Sequence, residues 1–373
     1  MRALVTILAP AVAASLLCAG LAFAAPHQTS AEPAAGATAT YPPGTVEDVR
    51  PSNLTIDQIR ADGAIGNLNQ GIEIETHGLP TRLVAWPGIG ALNGGIHVIT
   101  LAPGADSGMY SYPVSEEAVI ALQGSGEVFL HGKWVRIEAG DVAYFPEKVE
   151  HGMRNPKGST KDFVVVVQLT PAHLDLYQFG GFYDRASGTF DYDAIDAAEK
   201  KAKPGTLPAA SEIHFSDAHP ELRAWNLSNE EIRSKGALFN LFKGAKFTGI
   251  GVPMRIILFP GFGTRNAGLH TGYIPAGGAA DIHTHPFSDD IIVTVAGSLV
   301  VYNAGKAYTI NALDTTIAPA LAKHGAGGTS PKPALMFGFG APPQPDLYMR
   351  TPYYQHGQYI RPEFELLEVP AIE

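Results

Sequence analysis

Residues 277–297 read GGAADIHTHPFSDDIIVTVAG, and residues 104–124 read GADSGMYSYPVSEEAVIALQG. The two stretches align without a gap, 173 residues apart, with a glycine at each end. The later copy has His283 and His285 where the earlier copy has Tyr110 and Tyr112. Such a repeat is hard to obtain by chance. We therefore interpret the chain as two copies of one fold, with a metal-type site that is complete in the second copy and incomplete in the first.

The same register holds on both sides of these stretches. A chain of 373 residues is long enough for two domains, and an apolar content of 45% lets each domain bury a core. The repeat therefore predicts two similar domains. Its paired identities are Gly95 with Gly268, His97 with His270, Asp141 with Asp314, Pro146 with Pro319, His151 with His324, and Gly152 with Gly325.

Both copies are rich in short strand patterns, in which β-branched and aromatic residues are punctuated by glycine or proline. No crossover helices separate them, which predicts an all-β fold with an antiparallel double-sheet barrel in each half and short helical linker segments. Helices are expected at 55–61, 194–203 and 228–235. Strands are expected at 72–75, 81–86, 97–101, 118–122, 127–130, 135–137, 141–145, 163–169, 254–259, 269–274, 291–295, 298–302, 307–310, 315–318 and 334–338.

The first 25 residues have the composition of a secretory signal peptide. Arg2 is their only charge, an apolar stretch follows, and Ala22-Phe23-Ala24 is a small-x-small cleavage site. Cleavage is preferred to a retained anchor, and Leu17 before Cys18 argues against a lipoprotein. The cleaved chain would have no cysteine, which suits a bacterial periplasm. We therefore expect a periplasmic or secreted protein.

The remaining chain divides by composition. Residues 26–50 are rich in Ala, Pro, Thr and Gly, which is typical of a flexible leader. The predicted units are an N-terminal domain at 51–175, a linker with short helices at 176–245, a C-terminal domain at 246–345 and a tail at 346–373. The tail is expected to pack over a barrel end or onto the other domain.

The charge of the chain excludes some partners. The formal net charge is -10 and there is no basic run, so nucleic acid and anionic membrane surfaces are poor candidates. No stretch beyond the signal approaches the apolar length of a membrane span. We expect no nucleic-acid partner, and no membrane after signal cleavage.

These motifs resemble the signature of the cupin superfamily. That signature is G-(X)5-H-x-H-(X)3-4-E-(X)6-G followed by G-(X)5-P-x-G-(X)2-H-(X)3-N. The chain resembles it twice, over about residues 90–170 and 263–343. The resemblance implies a bicupin with two tandem cupin barrels, each a double-stranded β-helix or jelly roll.

The second copy predicts a metal site. His283 and His285 lie two residues apart on an extended segment, so their side chains point the same way. The resemblance adds His324, at the histidine of the second motif, and Asp290, at the carboxylate position. Three imidazoles and a carboxylate suit one divalent transition metal, with Fe or Mn favoured and Zn, Ni or Cu also compatible. The alternative is a surface histidine pair on a fold that has lost its metal.

The second copy also departs from the signature. Asp290 stands where the family has Glu and is one methylene shorter, which makes Asp281 and Asp289 substitute ligands to consider. Leu313 and Leu321 occupy positions where glycines are usual, and Gly328 replaces an Asn.

The first copy keeps part of the ligand set. Glu117 and His151 remain at ligand positions, followed by Asn155, whereas Tyr110 and Tyr112 replace the histidines. We predict that this half is metal-free and has a structural or dimer-forming role.

Three further residues are pocket candidates. His270 matches His97 of the first copy, so a structural role is the simpler interpretation, with a place in the pocket as the alternative. Phe287 and Tyr273 could form an aromatic wall, although lone aromatics in a barrel more often belong to the core.

The resemblance leaves three functions open, each with a small-molecule substrate or ligand. The leading expectation is an exported, metal-dependent dioxygenase acting on a small oxygenated substrate, aromatic or dicarbonyl, because the chain resembles quercetinase-like and gentisate-type bicupins. Oxalate decarboxylase and ureidoglycine aminohydrolase carry out redox-neutral metal chemistry, as a lyase, decarboxylase, isomerase or hydrolase would. Seed-storage bicupins are non-catalytic. The catalytic acid and base are unknown, and a homo-oligomer is compatible with the resemblance.

Overall fold

The computed structural model describes residues 41–209, 212–247, 251–326, 330–349, 351–370 and 372. The predicted signal peptide lies outside these residues. The predicted leader is described only from Tyr41, and its last residues are ordered, because Val46–Val49 form a 3-10 helix. No helix in the described part of the chain has the length and apolar character of a membrane span.

The first half is built from short strands, as the sequence predicts. Its strands are β1 (Ala64–Asn67), β2 (Ile72–Thr76), β3 (Leu79–Ala85), β4 (Gly95–Leu101), β5 (Glu116–Gln123), β6 (Ser125–Leu130), β7 (Lys133–Glu138), β8 (Asp141–Phe145), β9 (Met153–Arg154), β10 (Phe163–Thr170), β11 (Tyr183–Asp184) and β12 (Thr189–Phe190).

The second half repeats the pattern. Its strands are β13 (Ala237–Asn240), β14 (Lys243–Phe247), β15 (Met254–Leu258), β16 (Gly268–Ile274), β17 (Asp289–Asn303), β18 (Lys306–Asn311), β19 (Asp314–Ala318), β20 (Ala334–Ala341), β21 (Tyr354–Gln355), β22 (Gln358–Tyr359) and β23 (Glu365–Leu366).

Helices are short and lie between or after the strands. Two of them begin at matching capping boxes, formed by Thr55 with Gln58 and by Ser228 with Glu231. The α-helices are α1 (Ile56–Asp62), α2 (Leu174–Phe179), α3 (Tyr192–Glu199), α4 (Asn229–Lys235) and α5 (Pro345–Tyr348). Further 3-10 turns occupy Pro51–Asn53, Pro87–Ile89, Pro220–Leu222, Ala224–Asn226 and Pro260–Phe262.

Sixteen of these strands, from both halves, join one sheet, and the all-β prediction is confirmed. The order is β1-β19-β17-β20-β16-β15-β14-β13-β8-β5-β10-β4-β3-β2, with β18 beside β17 and β23 beside β14. Strands β6, β7 and β9 form a separate sheet, and β11 with β12 and β21 with β22 form two small ones. Strands β10 and β20 are buried along their whole length. Their apolar side chains therefore supply core on both faces of the sheet.

Each half lends its first strand to the other half. β1 pairs antiparallel with β19 of the second barrel, from Ala64 opposite Ile317 to Asn67 opposite Asp314. β13 pairs with β8 of the first barrel in the equivalent register. The segment before the second barrel, predicted as a linker with short helices, thus contains two strands, β13 and β14, that belong to the sheet.

A buried ion pair fixes each exchanged segment. Arg223 donates through Nη1 to Asp141 Oδ1 at 2.6 Å, and both side chains are almost fully buried. Arg50, at the equivalent position, donates to Asp314 Oδ1 at 3.0 Å. The 173-residue register therefore extends back to Arg50, well before the signature motifs.

Two buried carboxylates join the halves in the same reciprocal way. Glu116 accepts hydrogen bonds from the backbone N–H groups of Arg265, Asn266 and Ala267. Asp289, its equivalent, accepts from the N–H groups of residues 92 and 93 at 2.8 and 2.6 Å. Asp289 therefore has a structural partner in the first half and faces away from Asp290.

His97 should make the protein less stable in mild acid. Burial lowers the pKa of His97 to about 3, so the folded protein resists a proton that the unfolded chain accepts below pH 6.5. Between pH 7 and pH 5 this costs about 2 kcal/mol of unfolding free energy. We expect His97→Gln to lose less stability over that interval, measured by urea unfolding with a chelator present. Parallel losses in the two proteins would contradict the assignment.

Candidate metal centre

The second barrel holds its site on two chain segments that bond to each other. The His283 N–H donates to the His324 carbonyl at 2.8 Å, and the His324 N–H donates back at 3.0 Å. Asp290 is the second residue of β17. Backbone hydrogen bonds and the position of β17 therefore set the spacing of three predicted ligands, His283, His324 and Asp290.

The structure brings the four predicted side chains together. The ligand atoms of His283, His285, Asp290 and His324 all lie within 4.8 Å of one another. Asp290 Oδ2 lies 3.2 Å from His324 Nε2 and 3.5 Å from His285 Nε2. Among the described residues, this is the one group of three or more His, Cys, Asp or Glu side chains close enough to hold a metal.

Outer hydrogen bonds orient each imidazole. Nδ1 of His283 lies 2.8 Å from the Asp281 carbonyl, and Nδ1 of His324 lies 2.9 Å from the Ala322 carbonyl. A carbonyl only accepts, so both rings carry a proton on Nδ1, and Nε2 is the atom that is left to bind a metal. Such outer-shell contacts are typical of metal-ligating histidines.

His285 has a carboxylate partner of its own. Its Nδ1 lies 2.9 Å from Asp346 Oδ2. Burial opposes a charge here, but hydrogen bonds with the Asp290 and Asp346 carboxylates raise the pKa of His285 to about 9. Without a metal the ring is therefore protonated on both nitrogens at neutral pH, and a metal would have to displace the proton on Nε2.

The donor set fits a cation. His283 Nε2 and His285 Nε2 lie only 3.1 Å apart, an arrangement that a proton or a metal between them would stabilise. Asp290 Oδ1 is buried without a partner. Burial opposes ionisation of Asp290, but hydrogen bonds with His285 and His324 hold its pKa well below the usual value. Burial, followed by the neighbouring imidazoles, lowers the pKa of His283 to about 4.

A narrow cavity opens beside these four residues. About 30 Å³ is open to the centre of a water molecule, enough for one or two waters. His270 lies in the cavity wall, and burial lowers its pKa. The aromatic wall suggested for Phe287 and Tyr273 is wrong, since neither lines the cavity and Phe287 is exposed. The apolar wall includes Met254, Ile292, Val301, Met336 and Leu347.

The first barrel has the same backbone but different chemistry. Tyr110 and His151 exchange the same pair of backbone hydrogen bonds as His283 and His324. The Tyr110 hydroxyl donates to Glu117 at 3.2 Å, and His151 Nε2 hydrogen-bonds to the same carboxylate. Burial raises the pKa of Tyr110 well above its usual value, so the phenol stays neutral. The ligand positions are therefore occupied by a closed hydrogen-bond network.

Two leucines of the second copy adopt a backbone conformation that glycine usually adopts. Leu313 and Leu321 have φ of 73° and 74°, in the left-handed region that disfavours bulky side chains. Their counterparts Gly140 and Lys148 also have positive φ. The turns of the second motif are thus retained although the glycines are not.

Helix α5 and the residue before it contribute to the site in a way that the sequence patterns did not predict. Asp346, placed in the predicted tail, contacts His285, and Gln344 and Leu347 line the cavity. A signal was present: residues 171–177 read PAHLDLY and 342–348 read PPQPDLY, a second alignment offset by 171 residues. The change of offset concealed the equivalence of Asp346 and Asp175. The tail beyond α5 returns to the sheet, where β23 pairs with β14.

Asp346→Ala is expected to weaken metal binding about 10- to 100-fold, because an outer carboxylate orients the ligand ring. The measurement is a competition titration against a chromophoric chelator. Asp175→Ala is the matched control, since Asp175 lies at the equivalent place in the first barrel beside Arg185. Equal affinities in the two variants would rule out this role for Asp346.

Comparison with known proteins identifies the first barrel. Residues 97–167 match the family model described as Cupin domain. No sequence among curated proteins matches the chain.

Solved structures with a similar fold share little sequence. Protein Ylba from E. coli is 10% identical with a TM-score of 0.49, covering 76% of this chain and 92% of that one. Oxalate decarboxylase of Bacillus subtilis is 14% identical with a TM-score of 0.46, covering 76% and 77%. The Lactobacillus farciminis oxalate decarboxylase formate complex is 16% identical with a TM-score of 0.45, covering 75% and 86%.

The second barrel resembles the first in the arrangement of its main strands, with β17 spanning the positions of β5 and β6. Its exchanged strand, its ion pair and its histidine-bearing loop all follow the register of the matched domain. The chain therefore contains a cupin domain at residues 97–167 and a second, similar barrel, which holds a cluster that could bind a metal.

Proposed function

We propose that the chain is an exported, metal-dependent bicupin enzyme, and that it is a dioxygenase acting on a small aromatic or dicarbonyl substrate. The observation that carries the proposal is the convergence of three imidazoles and one carboxylate on a largely apolar cavity. A divalent transition metal held there, Fe or Mn by preference, would supply Lewis-acid and redox chemistry at its open positions.

The protein's own residues hold and shield this centre. The backbone carbonyls of residues 281 and 322 keep the Nε2 lone pairs of two histidines turned inward. Asp290 contributes one negative charge, so a divalent cation would retain a net positive charge toward a substrate oxygen. The apolar wall limits water around the reacting groups, which strengthens electrostatic interactions between them.

Oxygen consumption tests the proposal. Protein loaded separately with Fe, Mn, Co, Ni, Cu or Zn is offered a flavonol, a dihydroxybenzoate and a 1,3-diketone in an oxygen electrode. We expect substrate-dependent oxygen uptake with at least one metal, and none with His283→Ala. Equal turnover of a substrate without oxygen would replace the dioxygenase by a redox-neutral enzyme. No turnover with any metal would favour a binding protein.

Export rests on residues 1–25, with their single charge and their Ala22-Phe23-Ala24 site. Expression of the full chain in a Gram-negative host, followed by fractionation and N-terminal sequencing, tests it. We expect a periplasmic protein that begins just after this site. An intact N terminus in the cytoplasm would contradict export.

A further inference from the structure

Besides Asp290 Oδ1, two polar groups in the wall of the cavity beside the candidate metal centre have no hydrogen-bond partner among the described residues. Gln344 is 1% exposed, and its Nε2 has no hydrogen-bond partner. Thr316 is 6% exposed, and its Oγ1 has none either. Both residues line the cavity. Buried polar groups without partners are costly, so unpartnered groups on residues that line a cavity point to a ligand that completes them.

The cavity wall also lacks a group that would bind a carboxylate. No Arg or Lys lines it among the described residues. Recognition of carboxylates in buried sites normally uses the paired donors of arginine or the charge of lysine. A divalent cation beside Asp290 keeps one positive charge, which a single anionic oxygen balances, so any further carboxylate would be buried without compensation.

The rest of the wall is apolar and adaptable. Met254 and Met336 lie on it from β15 and β20, and Leu347 closes it from α5. Unbranched methionine side chains change rotamer readily, so the narrow cavity can widen around a ring-sized ligand.

We propose that this cavity takes a small, largely apolar molecule that carries an adjacent oxygen pair and no carboxylate, and that Gln344 and Thr316 are positioning residues for its oxygen atoms. The inference rests on the proposed function, since the oxygen pair would face the metal. Within that function it selects catechol-like or enol-type substrates over oxalate and over dihydroxybenzoates.

The test uses protein loaded with Co(II), whose visible absorption changes when a ligand enters the coordination sphere. Catechol and 3,4-dihydroxybenzoate form a matched pair of probes, because they differ only in one carboxylate. Oxalate is the small dianionic probe. We expect catechol to bind at least about tenfold more tightly than either of the others, because each of them would bury an uncompensated carboxylate.

Variants then test the two positioning residues. Gln344→Met and Thr316→Val are each expected to weaken catechol binding about 5- to 30-fold, the loss of one buried hydrogen bond, with unchanged cobalt content. Thr294→Val is the matched control. Thr294 is another buried threonine with an unpartnered hydroxyl, and it does not line the cavity. This variant should bind catechol as the wild type does.

The possible outcomes distinguish a failure of this inference from a failure of the proposed metal-dependent function. Cobalt bound, with oxalate or 3,4-dihydroxybenzoate preferred, overturns the inference and leaves the metal centre standing. Wild-type catechol affinity in both Gln344→Met and Thr316→Val overturns the positioning role. Failure of the protein to bind cobalt at all overturns the metal centre, and the inference with it.

Discussion

Replacing His324 by alanine is expected to remove the bound metal and all metal-dependent activity. His324 supplies one of three imidazoles, and its Nε2 lies 3.2 Å from Asp290. Without it, two imidazoles and one carboxylate would have to hold the ion at a site open to water. The measurement is metal content by elemental mass spectrometry on untagged protein. About one transition metal per wild-type chain and almost none in His324→Ala is the expected result.

His151→Ala is the control that the repeat provides. His151 is as buried as His324, occupies the equivalent position and makes the equivalent backbone bonds, but it contacts Tyr110 and Glu117 instead of two histidines. We expect this variant to keep its metal and to lose a few kcal/mol of stability, because Glu117 is left with an incomplete hydrogen-bond shell. Loss of metal in His151→Ala alone would move the metal site to the first barrel.

Asp141→Ala is expected to destabilise the protein by about 3 to 5 kcal/mol, the cost of leaving a buried charge without its partner. Arg223 is fully buried, and its remaining hydrogen bonds go to the carbonyls of Ala218 and Phe239 and to the Ser216 hydroxyl. None of these balances the guanidinium charge. Urea unfolding should show a lower midpoint.

Asp314→Ala is the equivalent change on the other side of the repeat. The side chain of its partner Arg50 is 11% exposed and also forms an ion pair with Glu47. Arg50 can therefore contact water and keep a carboxylate partner, and we expect a smaller loss of stability than for Asp141→Ala.

The Asp141→Ala prediction has its own contradicting outcome. A loss below about 1 kcal/mol for that variant, typical of a surface pair, would show that the buried pair contributes little.

Local sequence patterns were sufficient to predict many of the helices and strands. The strand expected at 141–145 is β8, and the helix expected at 228–235 is α4 with its capping box. These elements follow from periodicity and capping within a few residues, without distant partners. The placement of His283, His285 and Asp290 near one another is equally local, because they lie within eight residues.

The exchange of β1 and β13 between the halves could not be predicted in this way. Strands in one half and in the other offer similar apolar partners, so the pattern of β13 does not say which barrel it joins. The choice is made by long-range contacts, among them the bond between Arg223 and Asp141. Asp346 was missed for a related reason, since its contact with His285 crosses 61 residues.

The sequence by itself determined the repeat and the all-β class, because both depend on spacing along the chain, and the four ligand candidates followed from the His-x-His pair and the resemblance to the cupin signature. The tertiary structure decided which carboxylate faces the histidines, that Asp346 orients His285, and that Gln344 and Thr316 face an apolar cavity. Those facts depend on side chains that meet across separate strands. Neighbouring carboxylates such as Asp289 and Asp290 look alike in sequence, and only the fold turns one toward the site and the other toward the first half.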